Sequence, residues 1–221
     1  MQVFKFGGAS VSTIERIQQV AQILELHKGQ KLLVVVSAMG KTTNALEGVV
    51  NAFYAGDKVS ALQQFEQIKE QHLQIAAALE IEKDCLADFF TEVEWLLHDK
   101  PVRHYDYYYD QVVCVGELLS TTIVSHYLNK QAIQNQWVDV RDIIRTDNNF
   151  RDARINWPVT EQKVAQQVVP LFQNYDLVLT QGFIGATDEN ESTTLGREGS
   201  DYTAAIFANM LQAQNQIIWK D

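Results

Sequence analysis

The apolar positions of this chain change period several times, and each change marks an element. Residues 2–6 (Gln-Val-Phe-Lys-Phe) form a short β-prone run that ends at Gly7-Gly8. Ile14, Ile17, Val20, Ala21 and Leu24 then recur at helical spacing, with Ser12 and Glu15 placed as a capping box ahead of them. Lys28-Gly29 ends that helix, and residues 31–36 are apolar on both faces, as a strand inside a parallel sheet must be. Strand, glycine turn, helix and strand make a βαβ unit. The next helix carries Leu46, Val49, Val50 and Phe53 on one face.

Two apolar stripes follow without a strand between them. Leu62, Phe65, Ile68, Ile75 and Leu79 form the first; Leu86, Phe89, Phe90, Val93 and Leu97 form the second. They predict a helical hairpin, inserted over residues 58–100, that serves as a packing appendage or as a lid over the site. Next comes an aromatic run, Tyr105, Tyr107, Tyr108 and Tyr109, and then an apolar segment in which Glu117 follows Gly116. Further strands are expected at residues 136–140, 176–181 and 215–219. One helix opens at Pro158 with Val164, Val168 and Leu171 on its inner face, and another runs to Met210. The pattern predicts an α/β fold, a three-layer α/β/α sandwich with a mainly parallel sheet. Its ligands should gather at the carboxyl edge of the strands.

Composition narrows the class. The 221 residues carry a formal net charge of −10, with 46% hydrophobic and 21% charged positions, the balance of a globular protein with a full core. The charge and the lack of any basic run argue against a nucleic-acid partner. No apolar stretch approaches the roughly 20 residues of a membrane span, and the N-terminus has no signal-peptide pattern. Cys85 and Cys114 stand in apolar surroundings, as buried thiols of a reducing cytosol would. The five histidines show no metal-ligand spacing, and no side chain is assigned to a metal.

Candidate chemistry clusters at the predicted carboxyl edge. Lys5 sits in an apolar strand just before the glycine turn, which points it toward that edge. The loop after the second strand offers the hydroxyls of Ser37, Thr42 and Thr43. Gly40-Lys41-Thr42 suggests a P-loop, but Val35 stands where that motif needs its first glycine. Glu117 should be exposed by the neighbouring glycine or paired with a cation. Residues 194–203 place Gly196, Arg197, Gly199, Ser200 and Asp201 ahead of an apolar helix. Ser200 is expected to cap that helix, whose N-terminus favours an anion, and Arg197 offers a planar fork for a carboxylate or phosphate. Asp201 could hold a hydrated magnesium ion or place a hydroxyl. The stretch reads as a site for an anion with a metal, or as an ordinary capped helix after a flexible loop.

Lys5-Phe6-Gly7-Gly8-Ala9-Ser10-Val11, Val36-Ser37-Ala38-Met39-Gly40, Gly116-Glu117, Gly182-Phe183-Ile184-Gly185 and Gly196-Arg197-Glu198-Gly199-Ser200-Asp201 resemble, in order and spacing, the aspartate kinases of the amino-acid kinase superfamily. The resemblance covers nearly the whole chain. It implies transfer of the γ-phosphoryl group of ATP, with Mg2+, to the side-chain carboxylate of L-aspartate, a first step toward lysine, threonine and methionine. It implies Lys5 and Asp201 as catalytic residues, and Ser37, Thr43, Glu117, Phe183, Arg197 and Ser200 as substrate contacts. Lys5, Gly7, Gly8, Ser10 and Asp221 fall on the nucleotide side. Glu198 departs from the pattern, since many relatives carry an uncharged residue there. Family members continue past a strand like Trp219-Lys220-Asp221, so the chain is expected to be the aspartate-binding N-terminal part of a longer catalytic domain. The implied protein is cytoplasmic, with a homo-oligomer possible. A non-catalytic amino-acid-binding module and another amino-acid kinase, of the acetylglutamate or uridylate type, are the alternatives.

Overall fold

The apolar runs pair side by side. The computed structural model describes residues 1–220; Asp221, expected on the nucleotide side, lies outside them. The strands are β1 (Gln2–Phe6), β2 (Leu32–Val36), β3 (Gln136–Val138), β4 (Leu177–Gln181), β5 (Ile184–Ala186), β6 (Ser192–Thr194) and β7 (Asn215–Trp219). Five form one all-parallel sheet in the order β3-β4-β2-β1-β7, while β5 and β6 make a separate antiparallel hairpin. Strand β3 stops at Val138 rather than at position 140. Asp139 instead accepts a hydrogen bond from the Arg141 amide at 3.0 Å and turns the chain into a short 3-10 helix.

The helices are α1 (Ile14–Glu25), α2 (Thr42–Tyr54), α3 (Lys58–Ala78), α4 (Ala87–His98), α5 (Tyr105–Val113), α6 (Val115–Lys130), α7 (Trp157–Lys163) and α8 (Gly199–Met210). Thr13, not Ser12, caps α1, accepting from the Arg16 amide at 3.3 Å. A 3-10 turn over Gly8–Val11 delays the helix by one residue, and Ser12 spends its hydroxyl on the Ala9 carbonyl. Pro158 opens α7 as expected; beyond it the helix widens into a π turn and then a 3-10 turn, where Pro170 has no amide to donate.

Strand pleating divides the core. Phe4, Phe6, Leu32, Val34, Val36 and Leu179 face α1 to α6. Val3, Leu33, Val35 and Val178 face the other way, onto Ala204, Ile206 and Phe207 of α8 and onto Val164 and Val168. Alternation therefore places Lys5, two residues after Val3, on the α8 side. Helix α6 is buried almost all round, which explains its nearly continuous apolar sequence. Helices α3 and α4 bury Phe65, Ile68, Phe90 and Leu97 in the same core as β1 and β2, and contribute nothing to the cleft described below. They pack rather than cover. Cys114 is buried, but Cys85 is partly exposed, with its thiol 3.0 Å from the Glu82 carbonyl. Among the described residues no helix is long and apolar enough to cross a membrane.

Candidate active site

Parallel strands all end at one edge, so the loops that follow β1, β2, β4 and β7 must meet there. They enclose a cleft of about 320 Å³ together with the start of α8 and one residue of α6. Lys5, Gly8, Ser37, Thr43, Glu117, Phe183, Ser200 and Asp201, spread from one end of the chain to the other, all line it. The turns fit because glycine permits backbone contact. A Cβ on Gly8 would lie 2.6 Å from the Ala38 carbonyl oxygen, and one on Gly182 would lie 2.5 Å from Ser200 Cβ. Phe183 takes a left-handed conformation (φ 72°), and its amide donates to Thr203 Oγ1 at 3.0 Å, which ties this turn to α8.

Lys5 is the cation at the back of the cleft. It is 6% exposed, and its Nζ lies 2.8 Å from Asp201 Oδ1, an ion pair whose angle falls short of a hydrogen bond. Lys220 holds the other carboxylate oxygen at 2.7 Å. Burial works to raise the Asp201 carboxyl, but the paired ammonium groups of Lys220 and Lys5 outweigh it and hold that group below the usual range. Two ammonium groups thus flank one carboxylate.

Glu117 is neither exposed nor paired with a cation, contrary to both sequence expectations. It is 2% exposed, Oε1 accepts from the Ala38 amide at 3.4 Å, and Oε2 has no hydrogen-bond partner among the described residues. Gly116 leaves no gap toward solvent. It packs against Ala38, Leu46 and Thr42, so the first turn of α6 lies deep beside the cleft. Burial pushes the Glu117 carboxyl up to about 8.

Four expected residues sit differently. Ser200 does not cap α8. Glu198 occupies the cap position in a left-handed conformation (φ 58°), and the helix begins at Gly199, which leaves Ser200 in the first turn against the cleft. Arg197 is exposed and does not line the cleft; it forms no ion pair among the described residues. Gly7 and Ser10 line no part of the cleft either. The Gly7 amide and the Ser10 hydroxyl both donate to the Trp219 carbonyl, at 3.1 and 3.4 Å, and so fasten the β1 turn to β7. Lys220 was missed by sequence reasoning, though its place just past the last strand signals the carboxyl edge.

A larger cavity, about 580 Å³, opens at the amino edge of the sheet. Its cations, Lys28 and Lys31, are already paired with Glu25 and Asp176, so it gathers no converging free charge. Among the described residues no cluster of three metal-ligating side chains occurs.

Comparison with known proteins agrees with this geometry. The amino acid kinase family matches residues 1–221. Lysine-sensitive aspartokinase 3 of Escherichia coli strain K12 is 32% identical over 219 residues, covering 99% of this chain and 48% of that protein. The chloroplastic aspartokinase 3 of Arabidopsis thaliana is 32% identical over 238 residues, covering 99% of this chain and 40% of that one. The crystal structure of E. coli aspartokinase III in complex with aspartate and ADP superposes with a TM-score of 0.90 at 31% identity, over 100% of this chain and 49% of that chain. The chain thus spans about half the length of these relatives. With the glycine turns, the buried lysine and the α8 loop in one cleft of an all-parallel sheet, and a family match from end to end, this chain belongs to the amino acid kinase family.

Proposed function

We propose that the cleft binds L-aspartate and directs its side-chain carboxylate at the γ-phosphoryl group of ATP, giving 4-phospho-L-aspartate and ADP. The observation that carries this reading is Glu117, a buried carboxyl with one unpartnered oxygen at a cleft whose other wall carries Lys5. A buried acid in that position suits the α-ammonium group of an amino acid, which supplies both the missing charge and the missing donor. The relatives solved with aspartate support the choice of substrate.

In the reaction a carboxylate oxygen of aspartate bonds to the γ-phosphorus as its bond to the β-bridging oxygen breaks, and ADP departs with that electron pair. Two anions must approach, so positive charge near the phosphoryl group is the main requirement. Lys5 provides it, held by Asp201, and Lys220 flanks the same carboxylate. Magnesium would be carried chiefly by the nucleotide's phosphates, with Asp201, the carboxylate paired with Lys5 and Lys220, as the side chain that would approach it. It would shield phosphate charge. Arg197 takes a carboxylate of aspartate by swinging inward from its exposed position. The adenine side is supplied from beyond residue 221, in keeping with the greater length of the relatives.

Calorimetry of residues 1–221 with aspartate and with magnesium-ATP tests this division. Aspartate should bind and ATP should bind weakly; phosphoryl transfer by this stretch alone would show the nucleotide site to be misplaced. In the full enzyme, Arg197→Ala should raise the Michaelis constant for aspartate, whereas Lys5→Ala should mainly lower turnover, because charge on the phosphoryl group develops in the transition state. An unchanged constant for aspartate in the arginine variant would count against the assignment.

A further inference from the structure

Asp110 has no place in the chemistry above, yet it is fully buried and its carboxylate accepts three hydrogen bonds. Oδ2 accepts from the backbone amides of Arg151 at 3.0 Å and Thr194 at 2.9 Å, and Oδ1 accepts from the Thr194 hydroxyl at 2.7 Å. No cation pairs with it among the described residues. Its three donors belong to two segments far apart in sequence, the loop at residues 147–154 and strand β6.

Both segments lead to the Gly196-Arg197 turn. Thr194 is the last residue of β6, two before Gly196, and its carbonyl accepts from the Ala153 amide at 3.0 Å. The loop also abuts the turn directly, since a Cβ on Gly196 would lie 2.8 Å from Asp152 Oδ1. In the other direction, Asp110 lies in α5, which leads through a single turn residue, Cys114, into α6 and Glu117. The Cys114 amide donates to the Asp110 carbonyl at 3.3 Å, and the Glu117 amide donates to the Cys114 carbonyl at 3.2 Å. One carboxylate therefore joins α5, the helix that runs into the one carrying Glu117, to the turn that carries Arg197.

We infer that Asp110 is a positioning residue, a strut that fixes the span between the Glu117 and Arg197 ends of the amino-acid site and so sets the length of substrate accepted. The inference rests on the aspartate reading of the cleft for its functional half; the mechanical half stands on the hydrogen bonds alone. Removing the carboxylate strands the buried Thr194 amide, breaks the part-buried bond from the Arg151 amide and frees the turn to move. A span that is no longer fixed accepts a longer amino acid more readily.

The test uses Asp110→Ala and Asp110→Asn in the full-length protein. Asparagine can still offer its oxygen to both amides and its NH2 to the Thr194 hydroxyl, so it should preserve the strut without the charge. Hydrogen exchange should quicken across residues 192–199 in the alanine variant, stay slow in β1 and β2, and stay near wild type in the asparagine variant. The Michaelis constant for aspartate should rise about ten-fold or more in the alanine variant, as expected for a lost buried hydrogen-bond set, with that for magnesium-ATP within about two-fold. The preference for aspartate over glutamate, measured as the ratio of kcat/KM values, should narrow. Should the alanine variant fail to fold, Thr194→Val removes a single bond of the three and should give the same exchange pattern in weaker form. Unchanged exchange at 192–199 in the alanine variant, or in Thr194→Val where alanine fails to fold, overturns the strut, as does asparagine behaving like alanine. Quickened exchange in the alanine variant, when the wild-type protein binds no aspartate, supports the strut and overturns the substrate reading instead.

Discussion

Glu117 shows how much a single environment can decide. Its carboxyl is raised to about 8 by burial, so near neutral pH the free protein holds it mostly protonated. An ammonium ligand needs it ionised. Aspartate binding should therefore release a proton near pH 7, and affinity should climb with pH up to about 8 and then level, by at most about ten-fold per unit. Calorimetry in two buffers of different ionisation enthalpy reads the proton directly; none released would sink the pairing. Because the folded chain holds this proton more tightly than the unfolded one, stability attributable to Glu117 falls as pH rises from about 4.5 through about 8. Glu117→Gln should flatten that part of the stability curve, seen in thermal unfolding across the same range. It should also weaken aspartate binding by at least about thirty-fold, the effect of deleting one partner of a buried charge pair.

The elements place these groups through close backbone contacts rather than through propensity. The β4-β5 turn and the first turn of α8 interlock at Gly182 and Ser200, where any side chain on the glycine would meet three atoms of the serine within 2.7 Å. Gly182→Ala should destabilise the protein by about 1–3 kcal/mol, the range for overpacking, and displace Ser200 from the cleft. An unaltered melting temperature would show that the turn can yield. Glu198 offers the opposite case. A residue with a side chain is held at φ 58°, where glycine is at ease, and its charge borders the anion site. Glu198→Gly should stabilise the fold by about 1 kcal/mol and lower the Michaelis constant for magnesium-ATP. Loss of stability would mean that the glutamate side chain does something the backbone argument overlooks.

At the scale of the molecule, β7 is an edge. It pairs with β1 on one side and with no strand on the other among the described residues, and Ile218 is 41% exposed. Such an edge templates further strand pairing. Residues 1–221 prepared alone should self-associate in a concentration-dependent way, and Ile218→Lys should reduce this in sedimentation velocity. Equal association by both forms would place the contact elsewhere. The net charge of −10 opposes association, so the effect should strengthen as salt screens it.

The sequence alone determined the parallel sheet, its two layers of helices and the edge where ligands gather, because those follow from local periodicity: buried runs at 31–36 and 176–181, helical stripes, and glycine turns between them. It also determined much of the cleft's lining, since Lys5, Ser37, Ser200 and Asp201 each adjoin the end of a strand or the start of a helix at that edge. Tertiary structure alone decided the states of those groups. That Glu117 lies uncompensated depends on α6 running through the core. That Arg197 points outward depends on the left-handed turns at Gly196 and Glu198. That Lys220 shares Asp201 with Lys5 depends on β7 pairing with β1, and the hydrogen bonds of Asp110 depend on a loop about forty residues away. Periodicity reports which face of an element is buried; it carries no information about which charge from another element arrives there.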